Sequence, residues 1–167
     1  MAEKFLPVSV LSGTDYCTIS WGGKSAPWPP KPPPCFYHLV VLDRTNLSPV
    51  ANGFCSDFKT VPPEVKPFGG NDKYLLLVST MSLIPSMRPQ GDLLAFLTAN
   101  GPGRELARGV QICQVVDPAT NYFNYCLISV MGTREGKDAY SISQRIPLPL
   151  PMQLLLTGSV YTPVDQY

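Results

Sequence analysis

The sequence predicts an α+β protein, a mainly antiparallel β-sandwich with one or two short helices packed on it. Lys73–Thr80 is a continuous apolar run of strand length, which is typical of a sheet buried on both faces. A short amphipathic helix follows, because Pro89 and Asp92 suit a first helical turn and Gly101 ends the apolar pattern. Turn residues separate the other strand-length segments, and this spacing favours antiparallel pairing.

The elements on either side of this central unit follow from the same signals. We expect a second helical turn at Pro102–Arg108 that ends at Gly109, and then a strand at Val110–Val116 because that segment alternates. An aromatic-rich strand is expected at Tyr122–Val130. The remaining strand candidates are Val8–Leu11, Tyr16–Trp21, Phe36–Leu42, Val50–Phe58, Tyr140–Ile146 and Leu154–Tyr161.

The prolines suggest how the chain is divided. Residues 1–34 are expected to form a proline-rich N-terminal arm, residues 35–146 the core domain, and residues 147–167 a C-terminal edge strand or arm. Pro27–Pro34 has the composition of a stiff polyproline II segment. The alternate prolines of Pro147–Met152 remove ladder donors, so we expect an edge, a lid or a contact arm there.

Composition restricts the partners. The chain has 13 Lys plus Arg against 12 Asp plus Glu, a net charge of +1, which gives no electrostatic footprint for nucleic acid or an anionic membrane. Charged residues make up 15% of the chain, below the roughly 25% of ordinary domains. No apolar run reaches the ~18 residues of a membrane-spanning helix. The first residues lack a secretory pattern, so we expect a cytosolically made chain or a mature form with an added Met.

The metal and thiol chemistry of the sequence is limited. Five cysteines occur without a C-x-x-C pair and with one histidine, His38, so neither a structural zinc site nor a cofactor is expected. Two disulfides plus one free thiol would fit an oxidising compartment, and five buried thiols would fit a reducing one. Gly22–Ser25 resembles the end of a phosphate loop, but Pro27 and the prolines after it exclude the helix that such a site needs.

Aromatic and charged side chains supply the candidate binding residues. Glycan sites use aromatic faces for stacking and planar polar groups for hydroxyls. The candidates are Trp21, Trp28, Tyr122, Tyr125, Arg88, Asp92 and Arg104. The competing interpretation is core or interface packing for the aromatic residues and solvated helix ends for the charged ones.

The residues must also be checked for a catalytic site. His38 could pair with Cys55 or Cys126, with Asp57 or Asp117 orienting the imidazole. His38 lies in a strand that is apolar on both faces, which favours a core histidine instead. We therefore expect no enzyme and assign no catalytic residue.

Three segments of the chain carry a resemblance to a known family. They are CFYHLVVLDRTNLSPVANGFCSD, KYLLLVST continuing through a loop into PQGDLLAFLTANGPG, and NYFNYCLISVMGTREG. Over about residues 36–136 this order resembles the interleukin-like epithelial-mesenchymal transition inducer family, also called the GG domain. The resemblance implies a sandwich of two antiparallel sheets with helices packed on it, no catalysis, and an extracellular or assembly-surface location. A related domain in the stem of a glycosyltransferase binds sugar.

Two functions follow as hypotheses. The first is a non-enzymatic recognition or interaction module for glycan or protein, on a surface or within an assembly. The second is a structural subunit of a larger oligomer such as a fibre, shell or virion. Low charge and 19 prolines suit a chain that covers its apolar segments with neighbouring subunits. The expected partners are thus other protein subunits and glycan.

Overall fold

The computed structural model describes residues 4–165 and contains ten strands and two α-helices in that range. No helix among these residues is both long and apolar enough to cross a membrane. The elements are β1 (Phe5–Ser12), β2 (Thr18–Trp21), β3 (Lys24–Ser25), β4 (Phe36–Asp43), β5 (Pro49–Cys55), β6 (Tyr74–Met81), α1 (Gly91–Ala99), α2 (Arg104–Ile112), β7 (Tyr122–Val130), β8 (Gly136–Ser143), β9 (Leu148–Thr157) and β10 (Val160–Val164).

The strands form two five-stranded sheets. Sheet 1 has the order β10-β9-β1-β2-β3 and sheet 2 the order β5-β4-β6-β7-β8. Every pairing between neighbouring strands is antiparallel. The predicted fold class, a mainly antiparallel sandwich with short helices, is therefore confirmed.

Sheet 2 is covered on both faces. On one face Val40 belongs to the same buried cluster as Val10 of sheet 1. On the other face Leu39 shares a cluster with Leu93 and Leu97 of α1. Neighbouring residues of β4 are thus buried in opposite directions, which is why this strand is apolar throughout. The molecule has three layers, with sheet 2 between sheet 1 and the helices.

The helix α2 corrects two predictions. It runs from Arg104 to Ile112, so Gly109 does not end it, and the strand expected at Val110–Val116 is absent. Gly109 faces the ring of Tyr140 on β8, and a Cβ at this position would lie 2.9 Å from Tyr140 Cγ. The glycine is therefore explained by close packing, a tertiary contact that the alternating pattern of Val110–Val116 does not reveal.

The expected N-terminal arm is mostly part of the sandwich. Residues 1–3 of that arm, like residues 166–167 at the other end, lie outside the described residues. Strand β1 lies in the middle of sheet 1 between β9 and β2, and Val8 and Val10 are buried in the core. Alternate residues of β1 face the core. The segment is a central strand because it pairs with β9, which is distant in sequence.

The C-terminal segment forms a hairpin. The strand expected at Leu154–Tyr161 is interrupted by a turn at Gly158, whose φ of 63° suits glycine, and the turn separates β9 from β10. The proline-containing half of β9 pairs with β1, with Leu11 opposite Pro149 and Ser9 opposite Pro151. Strand β10 pairs only with Gln153–Thr157, so the proline half of β9 is an edge on its other side.

Replacing Gly109 by alanine tests the packing of α2 on β8. A helix-interior Gly→Ala change normally gains about 1 kcal/mol. Here the added methyl group would lie 2.9 to 3.2 Å from Cγ, Cδ2 and Cβ of Tyr140, which are close to the backbone and cannot easily move away. We therefore expect a net loss of about 1 to 3 kcal/mol in the free energy of unfolding, measured by urea denaturation. In a Tyr140→Ala background the same change should become neutral or stabilising. An increase in stability in the wild-type background would contradict this explanation.

Candidate functional site

Two of the predicted binding residues are core residues. Trp21 is buried between the sheets, and its Nε1 donates to Leu47 O at 3.0 Å. Tyr125 is fully buried, and its hydroxyl donates to Asp138 Oδ2 at 3.5 Å. Neither ring has a face open to a ligand. The interpretation as core packing is therefore correct for these two residues.

The other aromatic candidates are accessible but separated. Trp28 is 41% exposed and contacts the ring of Phe36 edge-on, with the centroids 5.9 Å apart. Tyr122 is half-buried at the start of β7. Phe36 begins β4, and β6 lies between β4 and β7. The structure therefore gives no shared aromatic platform built from these two residues.

The charged candidates lie near the helix starts. Arg88 precedes α1, and its Nη1 donates to Pro85 O at 3.4 Å. Asp92 is exposed in the first turn of α1, and Arg104 is the exposed first residue of α2. Among residues 4–165 none of the three belongs to an ion pair. Asp92 and Arg104 match solvated helix ends, whereas Arg88 is half-buried.

The environment of His38 holds its imidazole neutral. The side chain is 2% exposed and stacks on Phe54 with a centroid distance of 4.2 Å. Asn52 Nδ2 donates to Pro27 O at 3.3 Å, which orients the amide so that Asn52 Oδ1 accepts from His38 Nε2 at 2.6 Å. Burial lowers the pKa of His38 to about 4, although the bond to Asn52 partly opposes this.

Neither of the two cysteines predicted to pair with this histidine, Cys55 and Cys126, is placed to work with it. Cys55 belongs to the helix-side cluster, together with the β4 residues Tyr37 and Leu39, whereas His38 alternates with them and points to the opposite face. Cys126 lies on β7, beyond β6, so its backbone is about 10 Å from that of β4. Its Sγ lies 3.1 Å from Ser12 Oγ instead.

The proposed orienting carboxylates are used within their own turns. Asp57 Oδ1 accepts from the backbone N of Thr60 at 2.9 Å, and Asp117 Oδ1 accepts from the backbone N of Ala119 at 2.8 Å. Both are local turn contacts. Neither carboxylate is hydrogen-bonded to His38, so the predicted nucleophile, base and acid are not brought together.

All five cysteines are free thiols. Burial raises the pKa of Cys17 and Cys113 to about 11 and that of Cys55 and Cys126 to about 12. These four groups remain protonated at neutral pH, which makes them poor nucleophiles and poor metal ligands. Within residues 4–165 no three His, Cys, Asp or Glu side chains are grouped to hold a metal ion.

Among residues 4–165 no further helix or strand covers the surface of sheet 1 that points away from sheet 2, here called the outer face. Its residues alternate with the inward-facing core residues of the same strands. They are Phe5, Pro7, Ser9 and Leu11 of β1, Thr18 and Ser20 of β2, Ser25 of β3, Pro149, Pro151, Gln153, Leu155 and Thr157 of β9, and Val160, Thr162 and Val164 of β10.

The outward-facing residues of β1, β2, β9 and β10 carry no charged side chain, and Lys24 of the edge strand β3 lines a cleft with Pro7, Ser9 and Ser20 of the face. The register places Leu155 between Phe5 and Thr162, and Ser9 between Pro151 and Ser20. Phe5 is 44% exposed. A solvent-facing sheet surface normally carries charged residues, because sheets that are covered on one face only show an apolar-in, polar-out alternation. The face combines eight apolar residues with uncharged serine, threonine and glutamine side chains, a composition that suits a contact surface.

The edge beside this face is closed to strand addition. Leu156 N donates to Lys4 O, so the alternate residues Pro149 and Pro151 have their missing N–H groups on the open side of β9. On β10, Tyr161 N donates outward to Arg44 O, and Pro163 has no N–H on that side. This edge therefore offers no free strand donors at these positions, as in other protected edges.

A cleft adjoins the outer face next to β10. It has a volume of about 450 Å³, and five outer-face residues belong to its lining: Leu155, Thr157, Val160, Thr162 and Val164. Arg44, only 9% exposed, lies at this edge. Its guanidinium donates to Tyr161 O at 2.8 Å, to Asp72 O at 2.7 Å and to Thr162 Oγ1 at 2.9 Å. Arg44 thereby ties sheet 1 to the end of sheet 2.

Sequence reasoning missed the outer face, although part of its signal is visible. The segments Phe5–Ser12 and Leu148–Thr157 contain no charged residue. Only the pairing of β1 with β9 shows that their uncharged residues share one exposed surface. No protein-family model matches the chain, and a search of curated proteins found no match either.

The pH dependence of stability tests the environment of His38. The unfolded chain binds a proton near pH 6.5, whereas the folded state resists it until about pH 4. The free energy of unfolding should therefore fall by up to about 3 kcal/mol as the pH drops through this window. In His38→Gln this part of the loss should disappear, as measured by urea denaturation at several pH values. Equal pH slopes in both proteins would show that His38 is not buried neutral.

Proposed function

We propose that this chain is a non-enzymatic interaction module that binds other protein subunits through the outer face of sheet 1. The observation that carries the proposal is the absence of charge from the outward-facing residues of β1, β2, β9 and β10. Burying a charged side chain removes its hydration, which costs several kcal/mol. A partner can therefore cover a surface without charges more easily. Phe5 and Leu155, side by side, supply apolar contact area near one end of it.

The chemistry of the described residues supports a binding rather than a catalytic role. Acid-base work near neutral pH needs a group that titrates there, and the pKa of His38 lies near 4 because the ring is buried. A nucleophilic thiol needs a thiolate, which burial disfavours at Cys55 and Cys126. The resemblance to the GG domain favours the same class of function.

A glycan is a second candidate ligand, favoured by the cleft at Arg44. Its lining combines the carboxylates of Asp72 and Glu135 with the hydroxyl groups of Thr133 and Thr157, groups that can hydrogen-bond sugar hydroxyls. The lining contains no aromatic ring on which a sugar could stack. We therefore place protein contact first.

A photo-crosslinking residue on the outer face tests the proposal. Ser9, near the centre of the face, is replaced by p-benzoylphenylalanine, and Ala95 on the exposed surface of α1 serves as the matched control position. Irradiation of the full chain in cells should give discrete protein adducts from position 9 and none of these from position 95. The adducts should vanish when Leu155→Lys is added, because a charge on the face resists desolvation.

The masses of the adducts distinguish the two versions of the function. A single different protein would identify a recognition module, and a ladder of multiples of the chain mass would identify a structural subunit of a larger assembly. The proposal fails if position 9 crosslinks no more than position 95. Glycan-array binding that is lost in Glu135→Gln, together with an absence of adducts, would favour the glycan alternative.

A further inference from the structure

We propose that the cleft beside Arg44 binds a zwitterionic ligand, an α-amino acid with an aliphatic side chain. The cleft lies where the turns after β4, before β6 and after β7 meet the hairpin of β9 and β10. Its lining holds one cationic and two anionic residues, which are Arg44, Asp72 and Glu135. This inference goes beyond the protein partner of the outer face, because it concerns a small ligand in a cavity of about 450 Å³.

The cation of the cleft is buried among neutral acceptors. Arg44 is 9% exposed, and its three hydrogen bonds go to the backbone oxygens of Tyr161 and Asp72 and to the hydroxyl group of Thr162. It belongs to neither ion pair found within residues 4–165. Buried charges in proteins are normally paired, because neutral acceptors replace the lost hydration only in part. The chemistry of Arg44 therefore favours an anionic group in the cleft.

The guanidinium keeps donors for such a group. A guanidinium has five N–H groups, and the three bonds of Arg44 use one each on Nε, Nη1 and Nη2. One further N–H thus remains on Nη1 and one on Nη2. Donors on neighbouring nitrogens match the two oxygens of a carboxylate. The existing bonds also fix the plane of the guanidinium, which lowers the entropic cost of binding a ligand there.

Two carboxylates of the lining decide against a simple anion. Asp72 and Glu135 are exposed and line the same cleft as Arg44. They would repel a ligand with negative charge alone, and Arg44 would repel a ligand with positive charge alone. A neutral sugar would cover these charges without supplying an opposite one. In a zwitterion the carboxylate can meet Arg44 while the ammonium group meets Asp72 or Glu135.

The remaining walls suit an aliphatic side chain. Four apolar residues belong to the lining, and they are Val130, Leu155, Val160 and Val164. A branched aliphatic group that covers them gains from the removal of apolar surface from water. The volume of about 450 Å³ falls within the ~300–1,000 Å³ range of small-molecule sites. Free L-leucine combines both charges with such a side chain, so it is the probe for this cleft.

Three ligands that differ by one group test the charge requirement. L-Leucine is titrated into the ¹⁵N-labelled chain, and NMR follows the amide resonances of Asp72, Thr133 and Glu135. We expect shifts at the cleft and a dissociation constant of about 1 mM or lower. 4-Methylpentanoate lacks the ammonium group and 3-methylbutylamine lacks the carboxylate, so each should bind at least about 10-fold more weakly. The amine takes the place of an Arg44 variant, which would lose the contacts that join the two sheets.

Substitution of the two carboxylates tests the other half of the site. The double variant Asp72→Asn with Glu135→Gln should bind leucine at least about 10-fold more weakly, because the ammonium group loses its partners. The same variant should bind 4-methylpentanoate no more weakly than the wild type, since the repulsion is gone. Glu64→Gln removes an exposed carboxylate outside the cleft and should change neither affinity. Circular dichroism confirms that the variants are folded.

Four outcomes would overturn the inference. They are an absence of shifts at millimolar leucine, equal affinities for leucine and both analogues, equal leucine affinities of the wild type and the double variant, and shifts with a neutral disaccharide but not with leucine. The last of these would favour the glycan alternative. All of these measurements use the purified chain, so their failure leaves the crosslinking test of the outer face unaffected.

Discussion

The rest of the structure depends on burying both faces of sheet 2. The strands β4, β6 and β7 are apolar on successive residues, so each needs a cover above and below. The helices α1 and α2 cover one face and sheet 1 covers the other. Because sheet 1 serves as a cover, only its inner face is used. Its outer face is left without a partner, and this asymmetry is the physical origin of the proposed contact surface.

The parts of the fold that could be predicted from the sequence are those with a local signal. Strand β6, helix α1 and strand β7 follow from apolar runs and the residues that end them. The extent of α2 could not be predicted, because Gly109 looks like a helix end and its actual reason is the ring of Tyr140 on a distant strand. The place of β1 within sheet 1 could not be predicted either, since it depends on pairing with β9 across most of the chain.

The candidate site was less predictable than the fold. Aromatic residues were chosen by type, but Trp21 and Tyr125 are buried because their positions in β2 and β7 face the core. Burial is set by register, which a single sequence does not show. The outer face was missed for a different reason. Its residues are ordinary in type, and they form one surface only because the strands of sheet 1 are aligned side by side. Its signal is an absence of charge, which local motifs do not register.

The prolines now have a consistent structural explanation. The alternate prolines of Pro147–Met152 were expected to keep that stretch out of a central ladder. Pro149 and Pro151, and also Pro163, lie where the strand has no partner on the donor side. They prevent extension of sheet 1 at this edge while leaving the face beside it open. Contact through the face and protection of the edge are thus complementary properties of one hairpin.

Hydroxyl-radical footprinting of the free chain and of the chain with the partner captured at position 9 tests most directly whether the outer face is the contact surface. Phe5 on this face and Trp28 away from it are similarly exposed, at 44% and 41%. When the partner is bound, the oxidation rate of Phe5 should fall several-fold while that of Trp28 stays constant. An unchanged rate at Phe5 in the bound chain, or an equal fall at both residues, would contradict the account.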